Sequence, residues 1–562
     1  MLFKYFKLIL IIVFFYQNPL YSKSKDLKDF NSGYLSNYFS GVVAYKNKNN
    51  LGALEFFKSS RFLLNKHDPY LERYVYSLVL ESKVKQAVYE IKKNFGKNNS
   101  RFFEARLILA LDSLKKKDFK KSKLYLEQSH EFINGDKLAL VIYESIKEYI
   151  YIFQEGKILE TKKNFGGLSL INKAFQKCYL DNKNTKDYFI SLINNINDTD
   201  HSRYAFFLIN YLIENRKFDE ARKITSKLDY LNSSLLMSQA KKWIVENEFD
   251  KFKNIFSCKN SNDVISEFLF LIANLYSLQN NYEKSNFYIN ISYYLNPKFR
   301  FNLSLLAENY YLNKDYKKAK KTLEFFNKKD NFYYWYKIKK QAQIISKSLN
   351  DKEALNFINK KFQKIKNPSI KVLFDIANFN KNAKKYKKAI IYYDQVISMT
   401  DPNSFIYANL LYRRGSNYER LGNYLKSDED FLRSLEINSD DAYVLNYLAY
   451  SWLERENKID IAIQMLEKAY ALRSNDPYII DSVGWGYYLI DDFSNAEKFL
   501  KRAVLLMPDD PVVNDHYGDT LWKLGKKIQA RYFWISVLDL KETKDKMKKN
   551  INIKLIEGLK TS

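Results

Sequence analysis

Glycine and proline are scarce in this sequence, 15 and 8 among 562 residues. Chains of many short strands spend both at their turns, so this shortage argues against an all-β architecture. Cysteine is scarcer still. Cys178 and Cys258 are too few for a disulfide framework, and no CxxC or Cys/His cluster offers a zinc site. The four histidines, His67, His130, His201 and His516, lie far apart, the first three in polar, turn-like contexts that predict exposure. Walker, GxGxxG, GxSxG and HExxH motifs are all missing. No nucleophile stands at motif spacing from a base. Catalysis, a cofactor, a metal and a small-molecule substrate are therefore not expected. Nor does any stretch after the N-terminal region run apolar for long enough to span a bilayer.

What is present is helical. The length exceeds one compact core, and 46% apolar residues argue against disorder. Lys and Arg outnumber Asp and Glu, 92 to 64, a net charge of +28. Such an excess suits a polyanion such as nucleic acid, anionic lipid or acidic glycan. It also follows from composition alone: Lys, Asn, Ile, Tyr and Phe, all with AT-rich codons, are abundant throughout. The lysines gather in turns and on polar faces, as at 115–123 and 381–389. The compositional reading is the stronger, and nucleic acid is not the expected partner.

The first residues place Lys4 and Lys7 before an apolar run at 8–16 and a polar segment. That order fits a secretory signal peptide over 1–22, with cleavage after Ser22 and export to the periplasm; an uncleaved anchor is the alternative. No cysteine precedes Cys178, which speaks against a lipid anchor. Membrane association is expected only through a partner.

The organising stretch is 477–510, PYIIDSVGWGYYLIDDFSNAEKFLKRAVLLMPDD. It reads as two amphipathic helices around Asp491-Asp492, closed by Pro508. Small residues, Gly484, Ala496 and Ala503, sit where the helices would touch; Ile480, Val483, Tyr487 and Leu500 flank them. The pattern resembles the tetratricopeptide repeat (TPR), a helix-turn-helix unit of 34 residues. The small slot recurs at Gly415, Ala449, Gly484 and Gly518, and its second-helix partner at Ser427, Ala462, Ala496 and Ala530. The mismatch between the two series locates one extra residue in the turn Glu456-Asn457-Lys458. Glycine in mid-helix costs about 1 kcal/mol relative to alanine, so helix contact is expected to hold this slot small. On that view Gly484→Ala should be mild and only a larger side chain harmful.

The register extends upstream. Gly41, Val75 and Ala110 pair with Ala53, Ala87 and Ser122; Ala273, Ala307, Ala342 and Ala377 pair with Ser285, Ala319, Ala354 and Ala389. Between 136 and 200 it fades, which suggests non-consensus pairs and a bend. The expected class is an all-α, TPR-type solenoid, a right-handed superhelix of helix pairs. Its segments are weak repeats at 31–135, a divergent segment at 136–265, central repeats at 266–403, well-matched repeats at 404–541 and a charged closing helix at 542–562. Stability should then be nearly a sum of neighbour contacts.

The resemblance implies that the first helix of each pair lines a concave groove. Its groove positions fall on Tyr412, Ser416 and Glu419; on Asn446, Tyr450 and Leu453; on Asp481, Trp485 and Tyr488; and on Asp515, Asp519 and Trp522, with Arg413 and His516 adjacent. Rings beside amides and carboxylates suit an extended peptide. Three carboxylates, Asp481, Asp515 and Asp519, favour a ligand end bearing Lys, Arg or an amine. The same rings also suit packing between repeats. Segments 446–454, 481–489 and 510–525 further resemble exported TPR proteins of Gram-negative bacteria, including the outer-membrane lipoprotein adaptor of a carboxyl-terminal processing protease. That resemblance implies an envelope scaffold or adaptor for protein or peptide partners. A scaffold for envelope polysaccharide or secretion machinery and a basic nucleic-acid-binding repeat are the alternatives.

Overall fold

The computed structural model describes residues 32–133, 135–161, 163–194, 202–226, 231, 234–326 and 331–559. The expected leader at 1–22 lies outside the described residues. Among those residues there are thirty α-helices and no strand.

The turns explain the punctuation. Within a pair, the chain passes one residue in the left-handed region and then an Asp or Asn that caps the second helix. Lys117, Asn280, Lys314, Gly422 and Asp491 all have φ between 60° and 72°. The next residue in each case, Asp118, Asn281, Asp315, Asn423 and Asp492, accepts the N–H three positions on. That bond satisfies one of the amides a helix start leaves unpaired. Between pairs, Asp136, Asp441, Asp476 and Asp510 cap in the same way, with Pro477 and Pro511 opening their helices. The turn with the extra residue carries two left-handed residues, Glu456 (φ 52°) and Lys458 (φ 49°).

The helices form two compact units, Met1–Leu228 with Ser233–Lys337, and Asp229–Asn232 with Ile338–Ser562. The first holds α1 (Ser32–Lys46), α2 (Asn50–Ser59), α3 (Pro69–Leu80), α4 (Val84–Lys93), α5 (Phe103–Lys115), α6 (Phe119–Ser129) and α7 (Lys137–Glu155). The divergent segment follows as α8 (Gly167–Tyr179), α9 (Thr185–Asn194), α10 (Ser202–Glu214), α11 (Phe218–Ser226), α12 (Leu235–Val245) and α13 (Asp250–Ile255). Register returns at α14 (Ser261–Leu278), α15 (Tyr282–Leu295), α16 (Leu303–Leu312) and α17 (Tyr316–Leu323). The division falls within α18 (Asn331–Ser348).

The first unit departs from a stack held by neighbour contacts alone. Helix α15 packs not only on α14 and α16 but also on α3, α4 and α5. Tyr76 stacks on Phe287 with ring centroids 4.6 Å apart. Around this contact, Ser82 donates to Asn290 at 2.6 Å, Tyr294 to Asp112 at 2.9 Å and Lys318 to the Lys48 carbonyl at 2.6 Å. Composition explains the closure. Other second helices turn lysines outward, as in α17, but no charge occurs between Lys284 and Lys298. Consecutive residues from Ser285 to Ser292 are all buried. A helix apolar or neutral all round is covered all round. Cys178, in α8, and Cys258, just before α14, form a disulfide that joins the two ends of the α8–α13 stretch within the divergent segment.

The second unit continues with α19 (Asp351–Phe362), α20 (Ile370–Asn382), α21 (Tyr386–Ser398), α22 (Phe405–Arg420), α23 (Tyr424–Ile437), α24 (Ala442–Leu453) and α25 (Ile459–Leu472). Then come α26 (Pro477–Leu489), α27 (Phe493–Leu506), α28 (Pro511–Lys523), α29 (Lys527–Asp539) and α30 (Asp545–Glu557). Here the regular pairing holds. Ala389, Ala462, Ala496 and Ala530 have no exposed surface, and Leu500 and Trp534 fill the facing slot in successive pairs.

Contact does hold Gly484 small, but more tightly than the sequence suggests. A Cβ there would lie 2.6 Å from Leu500 Cγ and 3.1 Å from the Leu500 backbone nitrogen. At Gly518 it would meet the Trp534 indole nitrogen at 2.5 Å. Alanine is therefore already too large at both positions.

Candidate functional site

A cleft of about 560 Å³ opens across the first helices of four successive pairs. Helix α22 supplies Glu419 and Arg420, α24 supplies Asn446, Tyr447, Tyr450 and Glu454, α26 supplies Tyr478 and Asp481, and α28 supplies Val512 and Val513. Stacking places equivalent turns of these helices side by side, so residues 34 or 35 apart in sequence share one wall. The walls mix rings with groups of both charges. Glu419 accepts from Tyr447 at 3.1 Å, and Arg455 pairs with Asp428 at 2.8 Å beneath the Tyr424 ring. Burial, then the Glu454 and Asp481 carboxylates, push the Tyr450 hydroxyl well above its usual value, so it stays a neutral donor. The Asn446 side-chain oxygen is buried and accepts no hydrogen bond from the protein. A buried acceptor in that state favours an incoming N–H.

Asn446, Tyr450 and Asp481 line this cleft, with Glu419 beside them. The other expected groove residues are engaged within the protein. Tyr412 packs against Phe431 and Tyr447, and Arg413 lies over Phe374 with its Nε on Asn409. Trp485 is stacked between Tyr488, at 4.6 Å, and His516, at 4.0 Å, and its indole N–H donates to Glu454. Trp522 tilts against Trp534, 5.3 Å away, under Arg531 and Lys527.

The three carboxylates expected to face a basic ligand find cations of the chain itself. Asp481 holds the buried His516 ring at 3.1 Å. Burial disfavours the charged ring, but Asp481, with Asp515 and Asp519 behind it, outweighs burial and raises His516 above 6.5. Lys554 of α30 reaches Asp515 at 2.6 Å and Asp519 at 2.7 Å. Trp534 also donates to Asp519, at 2.9 Å. Burial and the Asp515 charge nonetheless raise Asp519 to about 6 against the pull of Lys554. The residue sequence reasoning missed is Lys554. It lies beyond the last repeat register, and only the spatial return of α30 brings it to α28. Of the histidines expected to be exposed, His130 is exposed, while His67 is half-buried against the Tyr38 hydroxyl at 2.8 Å. His201 lies outside the described residues.

No group of His, Cys, Asp and Glu among the described residues is arranged to hold a metal ion. No helix there is long and apolar enough to cross a membrane.

Residues 370–403 and 408–441 match the family model described as tetratricopeptide repeat. TPR repeat-containing protein PA4667 of Pseudomonas aeruginosa is 32% identical over 111 residues. That match spans 20% of this chain and 19% of the relative's length. Among solved structures, MamA 41-end from Desulfovibrio magneticus RS-1 aligns at 18% identity with a TM-score of 0.27, covering 31% of this chain and 97% of that one. A crystal structure of MamA protein aligns at 16% identity and a TM-score of 0.26, over 34% of this chain and 97% of that one. Residues 370–403 and 408–441, which build α20 to α23, are tetratricopeptide repeats, and the described residues form an all-helical repeat array.

Proposed function

We propose that this chain is an exported scaffold that holds an extended segment of a protein partner in the cleft between α22 and α28. The observation that carries this reading is the cleft itself. It runs across four repeats, has rings for apolar contact, and offers the buried Asn446 oxygen to a main-chain N–H. An extended peptide presents such donors at regular intervals along its length. Since His516 and Lys554 already pair with Asp481, Asp515 and Asp519, basic anchors of a partner would fall instead at Glu454 and Glu419.

Export to the periplasm rests on the charged-then-apolar start and on the disulfide. A buried disulfide persists in an oxidising compartment and is rare where thiols are kept reduced. The envelope role, in protein assembly or proteolysis, comes from the resemblance of the C-terminal repeats.

The test is affinity capture from cells with Asn446→Ala, Tyr450→Ala and the double variant. The expected result is loss of specific partners at unchanged helical content. Capture of the same partners in wild-type yield would refute the cleft assignment. Export is tested separately, by deleting 1–22 and following the chain's location.

A further inference from the structure

The outer faces of the second helices follow the same 34-residue interval as the core, so equivalent outer positions can be compared directly. In α25 they are Asp460, Gln464 and Glu467; in α27 they are Ser494, Lys498 and Lys501. In α29 the same positions are Ile528, Tyr532 and Ile535. They lie at i, i+4 and i+7, diametrically opposite the buried Ala530, Trp534 and Val537. Ile528 is 85% exposed and Tyr532 69%. The core does not account for these three residues, because none of them faces it.

Helix α30 packs on α29 and repeats the combination. Ile551 is buried against the last pair, and the opposite face presents Lys546, Lys549, Ile553 and Ile556, the last 82% exposed. The turn between them adds Lys541 and Lys544, both exposed. The preceding second helix, α27, carries the exposed Lys498 and Lys501 at the equivalent outer positions. Protruding aliphatic and tyrosine side chains set among lysines are the composition that lies in a membrane interface.

We infer that the outer face of α29 and α30 docks on an anionic lipid bilayer surface. The lysines meet the lipid phosphates while Ile528, Tyr532, Ile535 and Ile556 enter the headgroup–acyl boundary. A second copy of the chain fits worse, since the lysines outnumber the exposed Asp539, Glu542 and Asp545 of this face and would largely meet their own kind. A nucleic-acid duplex would satisfy the lysines and leave the isoleucines in water. The surface shares no residue with the cleft lining, so the two assignments stand or fall separately.

The chain's own two cysteines are bonded to each other and no free thiol remains, so an introduced cysteine takes a label uniquely. The full chain carrying Ile528→Cys or Ile556→Cys, labelled with a polarity-sensitive fluorophore, is mixed with vesicles of phosphatidylglycerol and phosphatidylcholine in equal parts. Asp460→Cys on α25 is the reference. The expected result is a blue shift and a rise of about twofold or more at 528 and 556 only, weakened by salt and by Tyr532→Asp with Ile535→Asp. Because the label reports its own surroundings, an N-terminal segment inserted elsewhere does not mimic this pattern. No shift at 528, or an equal shift at 460, overturns the proposal. So does a shift produced without vesicles by raising protein concentration or adding duplex DNA.

Discussion

Gly484 and Gly518 show how one missing methyl sets the spacing of a helix pair. The equivalent Ala449 tolerates its Cβ opposite Leu466, both of them buried. At Gly484 the nearest atoms to an added Cβ are the Leu500 side chain and the Leu500 backbone nitrogen. A side chain could turn aside, but a backbone atom in mid-helix cannot. Gly484→Ala is therefore expected to destabilise the C-terminal repeats by about 1–3 kcal/mol, through overpacking that outweighs alanine's better helix propensity. Denaturant unfolding measures it, and an unchanged or raised midpoint would refute the close approach. His516 gives a second residue-scale expectation. Its folded pKa lies above 6.5, so its pairing with Asp481 adds stability that is fully present below 6.5. That stability is lost as pH rises through the folded value. Asp519, raised from 3.8 to about 6, also makes stability fall with rising pH, between those two values. His516→Gln should remove the fall due to the imidazole, while the fall due to Asp519 persists and reaches to higher pH without the pull of the charged ring.

At the scale of elements, α30 is more than a lid on apolar surface. Met547, Ile551, Leu555 and Leu559 cover the last pair, and Lys554 neutralises two carboxylates that lie one turn apart on the same face of α28. Lys554→Met keeps the apolar stem and removes the charge. It is expected to cost about 3 kcal/mol near pH 8 and less near pH 5, where Asp519 takes up a proton instead. No loss at either pH would mean that the lysine acts by packing alone, and an equal loss at both that Asp519 does not take up the proton. The contrast with the repeats shows what the sequence makes legible. Helix pairs, their small slots and the inserted residue at 456–458 all follow from periodicity. Asn446, Tyr450 and Asp481 follow from the same register. Lys554 and the stacking of His516 on Trp485 do not, because they depend on how side chains meet in space once the register has ended.

For the whole molecule, the closure of the first unit is the feature that a neighbour-by-neighbour stack lacks. Its trace in the sequence is the uncharged run after Lys284, which periodicity alone reads as one more second helix. Phe287 is buried and stacked on Tyr76, more than two hundred residues earlier in the chain. Phe287→Ala is expected to cost about 3–5 kcal/mol, and hydrogen exchange should quicken in α3–α5 as well as α14–α16. Loosening confined to α14–α16 would restore the linear picture. The wider claim is that the second unit presents an interior cleft to a partner. The most direct measurement places a photo-crosslinking amino acid at Tyr450, within the cleft, and at the exposed Tyr89, outside it, in otherwise identical chains in cells. Mass spectrometry of the adducts should find a recurrent protein segment attached at 450 and none of it at 89. Adducts of the same identity and yield at both positions, or none at 450, would contradict the account.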